Sequence, residues 1–175
     1  MAYVGNSRPA SGSEHHLSHF FEIVGILDGD EYLPHGIDVA YSTVITSELR
    51  EKLASCKFPE RSYTQSREKL EKKIYDIYKT SAKGCLELQD KVGNYATDRT
   101  QIYLQKETQI KEILSECPSA EEIKNILSKV ELDISEFYNL YGNDKIEKAV
   151  LYAKDLKDRY SVLWINYDIF GGQYD

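Results

Sequence analysis

Three of the four histidines in this 175-residue chain, His15, His16 and His19, fall within five positions of the stretch SGSEHHLSHFFE, and His35 follows after a short connection. On a helix, residues four apart share a face, so His15 and His19 project together while His16 points about 100° away. Two imidazoles in that relation can chelate one metal ion, or one can ligate while the other reaches a substrate held by the ion. Glu22, seven residues after His15, falls near the same face. An imidazole from His35, brought back by the connection, is a plausible further ligand. The competing reading is a hydrogen-bonded or solvated helix face, and the H-x3-H spacing alone does not separate the two. A carboxylate would be the natural third ligand; Glu14, Glu22, Asp28, Asp30 and Asp38 are all near in sequence, and no spacing singles one out.

The elements that position these residues are helical. Leu17, Phe20, Phe21, Val24 and Leu27 recur at three and four, predicting a helix over about 14 to 27, with Ser13 as N-cap and Glu14 in its first turn. Pro34 blocks helix continuation and closes the connection DGDEYLPHG, leaving His35 and Gly36 at the doorstep of the next helix. Gly36 permits close backbone approach there. A second helix, over about 37 to 55, has Ile37, Ala40, Tyr41, Val44, Ile45, Leu49 and Leu53 at helical spacing and suits burial on all sides. Further helices are predicted over about 65 to 80, 83 to 116 with a break near Gly93, 119 to 130, 135 to 141, 144 to 157 and 158 to 169. Ser119 and Glu122 form a capping box for the helix after Pro118. No stretch alternates as a strand does, so the chain reads as one all-α domain, a helical bundle over residues 1–175.

A net charge of −7 excludes a nucleic-acid backbone as the expected partner. The one basic run, REKLEKK at 67 to 73, is interleaved with glutamates as a solvated helix face would be. No apolar stretch approaches the length of a membrane span, and the turn-rich start is not a signal peptide. Cys56, Cys85 and Cys117 are too few and too widely spaced for a disulfide framework or a CxxC site, and read as reduced, mostly buried thiols of a cytoplasmic protein. Arg8 precedes a helix N-terminus where an anion could dock, although a surface loop arginine is the preferred reading.

The stretches SRPASGSEHHLSHFFE and PHGIDVAYSTVI resemble the sn-glycerol-1-phosphate dehydrogenases, relatives of glycerol dehydrogenases, iron-containing alcohol dehydrogenases and 3-dehydroquinate synthases. The tail AKDLKDRYSVLWINYDIF supports the resemblance, which is read in order along the whole chain. It implies the C-terminal helical, metal-binding domain of a dehydroquinate synthase-like fold, in which zinc or nickel is held by one aspartate and two histidines. By that resemblance the metal histidines are His15 and His35, and His19 contacts the substrate; His16 takes a surface or structural role. The implied reaction is reversible hydride transfer between NAD or NADP and dihydroxyacetone phosphate, giving sn-glycerol 1-phosphate.

The departures are as informative. No glycine-rich strand–turn–helix for a dinucleotide is present, the family's aspartate ligand lies upstream of SGSEHH, and Ile37 stands where the family carries a glutamate. The expectation is therefore a metal-binding C-terminal portion that is inactive alone, its cofactor domain and third ligand coming from absent sequence. A start in mid-domain predicts apolar surface on the first two helices, and hence self-association or a missing N-terminal half as partner. The alternative is a non-catalytic helical interaction module descended from such an enzyme. A standalone metal hydrolase ranks below both, because spacing nominates no third ligand.

Overall fold

The structure, a computed structural model, describes residues 12–171. The expected N-terminal loop up to residue 11, with Arg8, lies outside them. Among the described residues the chain is all-α, as the sequence predicts, with no strand. The helices are α1 (Ser13–Asp28), α2 (His35–Ser55), α3 (Arg67–Tyr78), α4 (Ala82–Val92), α5 (Thr100–Ser115), α6 (Ala120–Ser128), α7 (Ile134–Tyr152) and α8 (Val162–Phe170). None of them is long and apolar enough to cross a membrane.

Helix α2 is the hub, packing against α1, α5, α6, α7 and α8. The apolar stripe of α1 does what its spacing predicts: Leu17, Phe20, Phe21 and Val24 are buried in a core shared with Tyr41, Val44 and Ile45 of α2 and Phe137 and Tyr141 of α7. A second cluster, Leu53, Phe58, Tyr103, Val162 and Phe170, closes the other end of α2 against α5 and α8. On α1 and α2 only Ile26 is a strongly exposed large hydrophobic residue, so the apolar patch expected on these two helices is covered by the chain's own α3, α7 and α8.

Several boundaries differ from the sequence expectation for local reasons. Gly12, not Ser13, caps α1, and Ser13 is buried as its first residue. The Glu14 carboxylate reaches back to accept the Gly12 N–H at 2.8 Å, supplying the capping bond that the serine does not. His35 and Gly36 are inside the first turn of α2, with Pro34 as cap. No atom approaches within 4 Å of a side-chain position at Gly36, so the close backbone approach expected there is absent. The break expected near Gly93 within 83 to 116 is present, where left-handed Gly93 and a 3-10 turn at Asn94–Ala96 separate α4 from α5. The two short helices expected over 135 to 157 are met within α7, because Gly142, with φ of 68° and ψ of 161°, interrupts the helical backbone and divides it into two segments. The last helix begins at Val162, later than predicted. The capping box of Ser119 and Glu122 is formed as read. All three cysteines are free, but Cys117 is exposed and Cys56 only partly buried, so the expectation of mostly buried thiols holds fully for Cys85 alone.

After α7 the chain tightens into a 3-10 turn, Ala153–Leu156, that packs on α1 and α4. Its Lys154 is fully buried, donating to the Asp155 carboxylate at 2.9 Å and to the Tyr95 hydroxyl at 2.7 Å. The Tyr95 hydroxyl in turn donates to Asp155 at 2.7 Å. The rings of Tyr167, Trp164, Tyr95 and Tyr152 surround the ammonium at 4.1, 4.8, 4.9 and 5.1 Å. Gln89 of α4 donates to the carbonyls of Asp155 and Lys157. This polar knot fixes the segment that lies alongside the histidine-bearing helix.

Candidate metal centre

The start of α2 faces the exposed side of α1. The connection between them is short, and left-handed Gly29 ends α1 with its N–H on the Gly25 carbonyl at 2.9 Å. Tyr141 of α7 then sets the spacing. Its ring stacks on Phe21 with centroids 4.0 Å apart, and its hydroxyl accepts from the Leu33 N–H at 3.0 Å and donates to Asp38 at 3.1 Å. One side chain therefore ties α1, the connection and the first turn of α2 together, and the His35 ring is carried to the α1 imidazoles.

The His35 ring approaches both α1 imidazoles. His35 lies 5.5 Å from His15 and 5.1 Å from His19 between centroids. The Nδ1 atom of each meets a side-chain oxygen: His15 with Glu14 at 3.1 Å, His19 with Glu22 at 3.3 Å and His35 with buried Ser18 at 3.1 Å. A proton on Nδ1, satisfied by that oxygen, leaves the lone pair on Nε2 for a ligand; this is the supporting arrangement that metal-bound histidines require. Among the described residues, His19, Glu22 and His35 each offer one donor atom within 4.8 Å of the other two. Two imidazoles and a carboxylate suit zinc and its neighbours among the divalent transition metals, so the residues present fit such an ion. Zinc against nickel is not decided by this donor set.

Electrostatics favour the neutral form of the His19 imidazole. Burial, reinforced by the Lys157 cation, lowers the pKa of His19, and Glu22 opposes them only partly. Burial raises the Glu14 pKa, but hydrogen bonds from His15 and from backbone N–H groups outweigh it, so the net shift is downward and its charge is retained.

His16 points away from this cluster into the interior. It is fully buried, neither ring nitrogen has a hydrogen-bond partner, and burial with the Arg159 and Lys157 charges pushes its pKa down to about 4. It is a core residue, which matches the structural half of the expectation and excludes the surface half. Ser18, Glu22 and Tyr141 were not singled out as supports by sequence reasoning; the i,i+3 spacing of His19 and Glu22 was the one available signal. Asp38 is likewise buried, with burial pushing its carboxyl up to about 7 and one oxygen unpartnered.

Fold and site together define an all-α protein with converging imidazoles and carboxylates fit for a divalent metal. The curated proteins it resembles are glycerol-1-phosphate dehydrogenases that carry NAD(P)+ in their names. That of Halalkalibacterium halodurans is 45% identical over 49 residues, 28% of this chain and 12% of the relative. That of Korarchaeum cryptofilum is 46% identical over 50 residues, 29% of this chain and 16% of the relative. A longer match, 29% identical over 76 residues, covers 43% of this chain and 19% of the Bacillus licheniformis enzyme. The resemblance to the glycerol-1-phosphate dehydrogenase family is thus real but partial: the matched stretches span less than a fifth of these relatives and less than half of this chain. The likeness read along the whole chain is not matched over the remainder. No family model matches the chain, and no solved structure matches it.

Proposed function

We propose that the chain is the metal-binding portion of an NAD(P)-dependent sn-glycerol-1-phosphate dehydrogenase-like oxidoreductase, one helical unit that is inactive alone. In this reading His15 and His35 hold zinc or nickel, an aspartate from sequence outside these residues completes the site, and His19 contacts the phosphorylated substrate. In the same reading the NAD or NADP cofactor is held by a separate domain. The free cysteines suit a cytoplasmic enzyme. The ion supplies a Lewis acid for the carbonyl of dihydroxyacetone phosphate.

The observation that supports this most is the set of three imidazoles, each with its Nδ1 on a side-chain oxygen. Glu14 orients His15 toward the ion, Ser18 orients His35, and Glu22 holds His19 to present Nε2 to a substrate oxygen. The nearby Lys157 cation favours an anionic ligand beside His19.

Zinc titration of the purified chain tests the proposal. His35→Ala is expected to weaken binding by more than about 100-fold, exceeding the 10- to 100-fold typical of losing a supporting residue. Unchanged zinc and nickel affinity in His15→Ala and His35→Ala would leave the non-catalytic interaction module as the reading. Robust reduction of dihydroxyacetone phosphate with NADH or NADPH by the chain alone would contradict its dependence on an absent cofactor domain.

A further inference from the structure

The resemblance implies two protein histidines and a carboxylate brought from elsewhere, yet the chain presents a carboxylate of its own at the same cluster. We propose that the chain standing alone holds a divalent transition ion through His19, Glu22 and His35, a ligand set that omits His15. The inference rests on the metal-binding reading above and names the ligands used before any outside carboxylate arrives.

The geometry favours this set in three ways. First, one donor atom each from His19, Glu22 and His35 already lies within 4.8 Å of the others. Ligand atoms around a tetrahedral zinc are about 3.4 Å apart at ordinary bond lengths, so the closure needed is little more than an ångström. Side-chain torsions can supply that movement without shifting either helix. Second, among the described residues no group of three potential ligands includes His15. The His15 ring is the farther of the two from His35, tilted at 60°, while His19 is closer and tilted at 35°. Glu14 is also committed elsewhere: it accepts from the Gly12 N–H as well as meeting His15, so leaving for a metal would uncap α1. Third, the support of His35 survives, while Glu22 passes from the His19 Nδ1 to the ion. His35 keeps Ser18 on its Nδ1, and the three ligands leave a fourth tetrahedral position open.

The contact between Glu22 and His19 is the half-made form of this site, a carboxylate and an imidazole on successive turns at 3.3 Å that an ion would bridge. An outside carboxylate arriving beside His15 would complete the family's set, releasing His19 to the substrate and returning Glu22 to its Nδ1. Glu22 and His19 thus have two uses, set by whether the rest of the enzyme is present.

Zn2+ affinity by competition with a chromophoric chelator, together with the visible spectrum of the Co2+-loaded chain, separates the alternatives. Glu22→Gln and His19→Ala are each expected to weaken Zn2+ binding by more than about tenfold and to remove the tetrahedral Co2+ bands, with His15→Ala within about threefold of the parent. In the unmodified chain, Zn2+ should perturb the ring proton resonances of His19 and His35 and leave those of His15, a result that does not depend on any variant folding. Loss of binding in His15→Ala with none in Glu22→Gln overturns this ligand set while the two-histidine reading stands. Absence of Zn2+ binding in the parent chain overturns both.

Discussion

Replacing Lys154 with methionine is expected to cost about 3–5 kcal/mol of folding stability, read as a lower urea midpoint with little change in slope. The ammonium is fully buried, and burial pushes its pKa down and that of Asp155 up while their contact opposes both shifts. Removing the cation strands the Asp155 carboxylate, which then keeps only the Tyr95 hydroxyl at 2.7 Å as a side-chain donor. A stranded buried charge, rather than the value of the pair itself, makes such losses large. The four surrounding rings add cation–π attraction that methionine does not restore. The double variant Lys154→Met, Asp155→Asn should recover part of the loss, because the charge is removed with its partner. A loss under about 1 kcal/mol for Lys154→Met would show that the knot is not an ionised pair.

The second large effect concerns pH. Buried His16, with its pKa near 4, refuses a proton that the unfolded chain accepts at about 6.5, so its contribution to stability is complete above pH 6.5 and is lost as pH falls toward 4. Buried Asp38 acts in the opposite sense. Its carboxyl stays neutral in the fold up to about 7 while the unfolded chain ionises near 3.8, so its penalty is absent below pH 3.8 and grows as pH rises to 7. Each amounts to about 3–4 kcal/mol at its limit, and between pH 4 and 6.5 their opposite pH slopes nearly cancel, leaving a combined penalty that is almost constant. Single variants separate them. Relative to the parent, His16→Leu should gain about 2–3 kcal/mol on going from pH 7 to 4.5, and Asp38→Asn should lose about 3 kcal/mol over the same range. Chemical unfolding at several pH values measures both, and differences that stay flat with pH would contradict the buried, shifted states of these groups.

Helical spacing carried much of the site. The i,i+4 relation of His15 and His19 and the opposite direction of His16 follow from 3.6 residues per turn, and the structure keeps all three. The approach of His35 was legible only as a possibility, because the path from Gly29 to Pro34 is set by Tyr141, more than a hundred residues along the chain. Glu22 was visible on the right face, but its distance from His35 is a property of that same connection. The α1 cap was misread because Ser13 and Glu14 can each satisfy the first turn, and burial of Ser13 decides between them. Gly93 and Gly142 were legible as breaks: both have positive φ, and each interrupts the helical backbone where the sequence placed a boundary. Lys154 reads in sequence as an ordinary charged residue, and its aromatic surroundings come from α7, α8 and the turn around Tyr95.

Zinc-edge X-ray absorption of the chain loaded with one equivalent of Zn2+ tests the central claim most directly, because it counts imidazoles at the ion. The account predicts a first shell of nitrogen and oxygen at about 2.0–2.1 Å with the outer-shell scattering of two histidines. A shell containing sulfur at about 2.3 Å from the free cysteines, or one without imidazole scattering, would contradict it.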